Sequence, residues 1–205
     1  MDEVFSIFID KVGAPISRRE VPPTSIERFR GKLPDLLLSY WKEHGWCGFG
    51  DGIFWLVDPQ EYESVVASWV EGTNLESRDT YHLIARSAFG DLYLWGEKSG
   101  FSVKITSLLS RYTGDDYQLS ESDATREVHS FFLSREKEYN DFDNLFDSAK
   151  KKLGTLENDE MYAFVPAIML GGRATLENLE KVKAIEHLTF LSQIAGLEPY
   201  SFSDF

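Results

Sequence analysis

The chain has 205 residues, 42% hydrophobic and 14% aromatic, with one cysteine and a formal net charge of −13. That supplies a packed core for one or two domains and excludes a disulfide framework, a cysteine-rich zinc site and any apolar run near the ~18 residues of a membrane span. The acidic start Met1-Asp2-Glu3 lacks the basic opening of a signal peptide, so the chain reads as soluble and cytoplasmic.

Taken in order, Val4, Phe5, Phe8, Ile9 and Val12 form a helical apolar stripe that ends near Gly13 and Pro15. Thr24-Ser25-Ile26-Glu27 reads as a capping box for a short helix through Phe29 and Leu33. Pro34 opens the next helix, through Leu36-Leu37-Leu38 and Trp41 to His44, and Gly45 closes it. Gly48, Gly50 and Gly52 let the backbone turn before Ile53–Val57, an apolar run too short for a helix that reads as a buried strand. Asp58-Pro59-Gln60-Glu61 then reads as N-cap, first helical position and capping box of a helix through Trp69.

Tyr81 to Trp95 predicts a hairpin turning at Gly90-Asp91, followed by a second turn at Ser99-Gly100 into the alternating strand Phe101–Ile105. The polar stretch Thr113–Tyr117 marks a boundary, with residues 1–114 on one side and 115–205 on the other. Beyond it, Asp123–Leu133, a stripe from Tyr139 through Phe146 to Leu153, and Thr175–Ala195 all read as helices. Lys150-Lys151-Lys152 stands at a helix C-terminus, where positive charge opposes the macrodipole. The expected class is α+β, with helices packed on a small, mostly antiparallel sheet and a mainly helical C-terminal subdomain.

Chemistry is sparse. Gly48-Phe49-Gly50-Asp51-Gly52 precedes a strand and lacks a lysine, so it is not a phosphate loop. His44 and Cys47 are the one pair that invites a base-and-nucleophile or ligand reading, but no third, orienting group stands near them in sequence. His82, His129 and His187 have no metal-ligand spacing. Acidic pairs such as Asp115-Asp116 and Asp159-Glu160 read as solvated loops. The block Glu160–Gly172 reads as core plus a turn.

The charge is shared along the chain, with 12 basic and 18 acidic residues through Gln118 and 9 and 16 beyond. Such a surface repels nucleic acid and anionic membrane and speeds encounter with a basic partner.

The run Leu33-Pro34-Asp35, Tyr40-Trp41, Gly45, Gly48-Phe49-Gly50-Asp51-Gly52 and Trp55-Leu56-Val57-Asp58-Pro59 resembles the GAD-like domain. The run Glu160-Met161-Tyr162-Ala163-Phe164-Val165-Pro166-Ala167 and Leu170-Gly171-Gly172, with Glu177-Asn178-Leu179 and Glu186-His187-Leu188, resembles the C-terminal domain of immunity proteins paired with type VI secretion DNase effectors. The chain is more distantly similar to the Smi1/Knr4-like immunity superfamily. The resemblance implies a bacterial antitoxin, without catalytic residues, metal or cofactor, that binds a basic nuclease toxin as a monomer in a 1:1 complex. Neutralisation would come from occluding the toxin's DNA-binding or active-site cleft. The alternatives are a regulatory or scaffold protein of the same superfamily with another partner, and a hydrolase using His44 or Cys47. For the antitoxin, acidic residues in loops are the expected toxin contacts: Asp91, Glu97, Asp115, Asp116, Glu157, Asp159 and Glu160.

Overall fold

The computed structural model describes residues 2–114, 118–120 and 123–201. Helix α1 (Glu3–Val12) buries Phe5, Phe8 and Val12 and is capped by Asp2, whose carboxylate accepts the Val4 and Phe5 N–H groups. After strand β1 (Pro15–Arg19) come α2 (Pro23–Phe29) and α3 (Asp35–His44). The residues of α2 predicted as a capping box do not form one: Pro22 holds the cap position without a side-chain bond, and Glu27 pairs with Arg30 instead. Gly45 ends α3 at φ +77°, where an added Cβ would collide with the Arg19 carbonyl.

The glycine–aromatic stretch is a hairpin of β2 (Trp46–Phe49) and β3 (Phe54–Leu56), joined by a short 3₁₀ turn at Gly50–Gly52. Phe49 faces Phe54 and Gly48 faces Trp55 across it. Gly48 is required by close approach, since a Cβ there would stand 2.9 Å from the Trp55 ring. Asp58 caps a 3₁₀ turn, Pro59–Tyr62, through the Gln60 N–H, and α4 (Glu63–Val70) follows. Glu61 does not complete a capping box, because both its oxygens are taken by Arg19 at 2.8 and 3.0 Å. A short helix, α5 (Asn74–Arg78), leads into the sheet.

Strands β4 (Tyr81–Ser87), β5 (Asp91–Gly96), β6 (Gly100–Thr106) and β7 (Arg111–Gly114) continue antiparallel from β3. The β4–β5 loop is the three residues Ala88 to Gly90 instead of the predicted Gly90-Asp91. The Ser87 hydroxyl accepts the Phe89 and Asp91 N–H groups, and Gly90 takes φ +86°. A left-handed third residue is the usual geometry of a three-residue hairpin loop. All of β4 is buried, so both faces of the sheet are covered. Side chains alternate across it. Phe54 and Tyr93 meet Phe8 and Phe131, whereas Trp55 turns to Arg86 on the other side.

The second part of the chain supplies α6 (Ala124–Leu133), α7 (Phe146–Leu153), β8 (Glu160–Phe164), β9 (Leu179–Lys183), α8 (Ala184–Ile194) and β10 (Glu198–Pro199). It departs from the expected helices in two places. The stripe from Tyr139 to Leu153 is helical over Phe146–Leu153, preceded by a 3₁₀ turn at Glu138–Asn140. The block read as core plus a turn has both: Glu160–Phe164 is a strand with Met161 to Phe164 buried, and a 3₁₀ turn follows at Ile168–Leu170. The long helix predicted over Thr175–Ala195 begins only at Ala184, because Leu179–Lys183 pairs with β8 from Phe164↔Leu179 to Glu160↔Lys183.

The class is α+β, but the main sheet has eight strands, in the order β1-β2-β3-β4-β5-β6-β7-β10. Its last strand comes from the C-terminal part and runs parallel to β7. One contiguous apolar core includes Phe5, Trp41, Trp55, Phe132, Tyr162 and Leu188.

Candidate functional site

His44 and Cys47, the pair that invited a catalytic reading, are set into packing. The His44 ring stacks on Phe5 at 4.1 Å and 11°, and burial lowers its pKa. Cys47 is fully buried, and the same desolvation pushes its thiol up to about 12. A thiol so placed is protonated at neutral pH and is a poor nucleophile. His82 is tied to Glu97 at 2.8 Å, and the nearest carboxylate to His129 is Asp2 at 3.7 Å. Among the described residues no three His, Cys, Asp or Glu side chains gather as metal ligands.

The glycine–aromatic hairpin is a structural seam. Trp55 Nε1 donates to the Gly52 carbonyl at 2.7 Å, and the Arg86 guanidinium lies 5.3 Å from the Trp55 ring centroid. Arg86 is fully buried and donates to the Tyr62 hydroxyl and the Asn158 carbonyl. Asn158 in turn donates to Ser17. This chain of bonds fastens the loop before β8 to the first strands.

Among the described residues, the expected contacts divide between two ends of the sheet. Asp91 opens β5 and Glu97 follows its last residue, about 20 Å away at the usual rise per residue. Asp91 is paired with Lys104 at 2.9 Å. Glu157, Asp159 and Glu160 precede and open β8, which meets the β4–β5 turn where Tyr162 N–H donates to the Ala88 carbonyl at 2.9 Å. Asp159 pairs with Lys183 at 2.7 Å, and that hydrogen bond lowers its pKa. Glu160 accepts the Glu157 N–H and pairs with Lys181 at 3.2 Å. Glu157 is exposed. Asp115 and Asp116 lie outside the described residues.

Sequence reading missed a groove of about 250 Å³ beside Asp91. Its wall includes Thr106, Leu109, Tyr139 and Asp141, drawn from β6, the turn after it and the loop before α7. Tyr139 and Leu109 are exposed large hydrophobic residues, at 67% and 38%. A larger groove of about 450 Å³ lies between β6 and α6, where Phe101 stacks on Phe131 at 3.9 Å and Arg135 covers Phe131 and Tyr93. The sequence signal for the smaller groove is Tyr139 and Phe142 in a polar stretch, and the aromatics of the larger one lie on β5, β6 and α6, where local patterning does not distinguish them from core.

The geometry is that of an acidic α+β protein whose His44 and Cys47 are set into packing and whose grooves are lined by aromatic and charged side chains. The chain belongs to the GAD-like domain family, which matches residues 3–109, and residues 125–195 match the C-terminal domain of T6SS immunity protein Tdi1. A domain of the second kind implies a cognate toxin as partner. Atu4351 from Agrobacterium tumefaciens, known from a crystal structure, has the same fold: it is 22% identical with a TM-score of 0.85, over 97% of this chain and 93% of that one. No curated protein matches this chain. Among the described residues no helix is long and apolar enough to cross a membrane.

Proposed function

We propose that this chain is a cytoplasmic, non-enzymatic immunity protein that binds one cognate type VI secretion DNase 1:1 and occludes its DNA-binding or active-site cleft. The observation that carries the reading is the order of the two matched families along one continuous chain, a GAD-like domain followed by an immunity-protein domain. Charge supports the nuclease part. A DNase must present a positive surface to phosphates, and a chain of net charge −13 is suited to compete for that surface. The burial of Cys47 and the stacking of His44 on Phe5 support inhibition by binding alone.

Within this reading, Asp91, Glu157, Asp159 and Glu160 act at one end of the sheet and Glu97 at the other, and all seven expected acids, Asp115 and Asp116 included, act chiefly by steering association. The test is co-purification with the protein encoded by the adjacent gene, followed by DNA cleavage by that protein with and without this chain. A stable 1:1 complex and suppressed cleavage are expected. Cleavage unaffected by excess chain would remove the reading. Neutralising each acidic cluster to Asn or Gln is expected to slow association at low salt, with the difference shrinking as salt rises.

A further inference from the structure

The groove beside Asp91 has the makings of an anchoring site. Its outer wall is a loop fixed from beneath by Asn140, which is 2% exposed. The Asn140 side chain accepts from the Tyr93 hydroxyl at 2.9 Å and donates to the Glu136 carbonyl at 2.8 Å. Its two chain neighbours line the groove: Tyr139, 67% exposed, and Asp141, one of whose oxygens accepts the Phe146 N–H at 2.9 Å. The loop is thereby held in one shape while presenting a phenol ring and a carboxylate. Such preorganisation lowers the cost of binding, and tyrosine is enriched among residues that dominate interface energies.

The charges on the wall select the partner group. Asp91 is neutralised by Lys104, whereas Asp141 has no ion pair among the described residues. Desolvation raises the Asp141 pKa, so its carboxylate gains from an added cation. Leu109 and Phe142 supply apolar wall for an aliphatic stem. A guanidinium matches this set better than an ammonium, because its plane stacks on an aromatic ring while its N–H fork meets a carboxylate.

We propose that this groove receives an arginine side chain of the basic toxin, stacked on Tyr139 and paired with Asp141. The proposal rests on the toxin-binding reading above and gives it a fixed anchor distinct from the steering charges. Lys104 lines both grooves, but the larger one between β6 and α6 adds Arg135 against a single acid, Glu127, whereas this one holds Asp91 and Asp141, so the larger groove suits a cationic group less well.

The test uses the full chain and a catalytically inactivated form of the adjacent-gene protein, with affinity measured by calorimetry for wild type, Tyr139→Ala, Asp141→Asn and Asp143→Asn. Asp143 is exposed on the same loop outside the groove lining, and its φ of +52° is one that Asn also adopts. Each groove variant is expected to weaken binding at least about tenfold, and Asp143→Asn less than about threefold. Unchanged thermal unfolding will show that the fold is kept, and Tyr139→Ala carries the test if Asp141→Asn fails to fold. Groove variants that bind like wild type, or equal losses from Asp141→Asn and Asp143→Asn, overturn the anchor and leave the immunity reading standing. No binding by wild type overturns both. A homodimer that the groove variants dissolve overturns the anchor in favour of a second copy.

Discussion

At the scale of single residues, Trp55 concentrates the physics of the glycine–aromatic hairpin. Its ring fills the space left by Gly48, its indole N–H is satisfied by the Gly52 carbonyl, and Arg86 lies over its face. Truncation removes a buried aromatic and leaves a cavity that the surrounding strands cannot close. Trp55→Ala is therefore expected to cost about 3–5 kcal/mol, read as a lower urea midpoint. A midpoint equal to that of wild type would contradict this account of the seam.

At the scale of elements, an exposed ion pair links the β2–β3 turn to α7. Asp51, in a left-handed conformation at φ +62°, accepts from Lys150 at 2.8 Å, and that hydrogen bond lowers the Asp51 pKa. A carboxyl with a depressed folded pKa adds stability above its unfolded value and loses it as pH falls through the folded one. The window is therefore below the ordinary value of 3.8. The Asp51 side chain is 63% exposed, so screening limits the contribution to under ~1 kcal/mol. Asp51→Asn keeps the backbone preference and removes the charge. Its stability deficit relative to wild type is expected to be small at pH 7 and to shrink as pH falls below 3.8. A deficit that persists there would point to a role other than charge.

At the scale of the whole molecule, the two matched regions share one core. Strand β10 returns to the sheet of the first region, Tyr162 bonds to Ala88, Tyr93 bonds to Asn140, and Ser68 on α4 meets Ser192 on α8 at 2.5 Å. We place the boundary at 114/115 and expect the halves to fold as one unit. Proteolytic cleavage between residues 114 and 125 should leave fragments that co-elute without denaturant; two separately folded, non-associating fragments would refute it.

Local patterning was sufficient where an element's stability is decided within its own residues. Helices α1 and α3 follow from an apolar stripe closed by Gly13 and Gly45, and the β4–β5 hairpin from two apolar runs about a glycine turn. The sequence also determined the acidity of the surface and carried both family resemblances. The capping boxes failed because Glu27 and Glu61 found arginines, one nearby and one 42 residues away in sequence. The i, i+3 spacing of Leu179 and Val182 fits a helix face, and only pairing with β8 made them a strand. The same limit applies to the site. Asp91 was recognisable as a loop acid, but Tyr139 and Asp141 looked like part of a helical stripe. Burial of Asn140 against Tyr93, a contact between residues 47 apart in sequence, turns those two outward beside Asp91. Contacts of that kind depend on tertiary packing, because no local sequence preference specifies which distant hydroxyl will satisfy a buried amide.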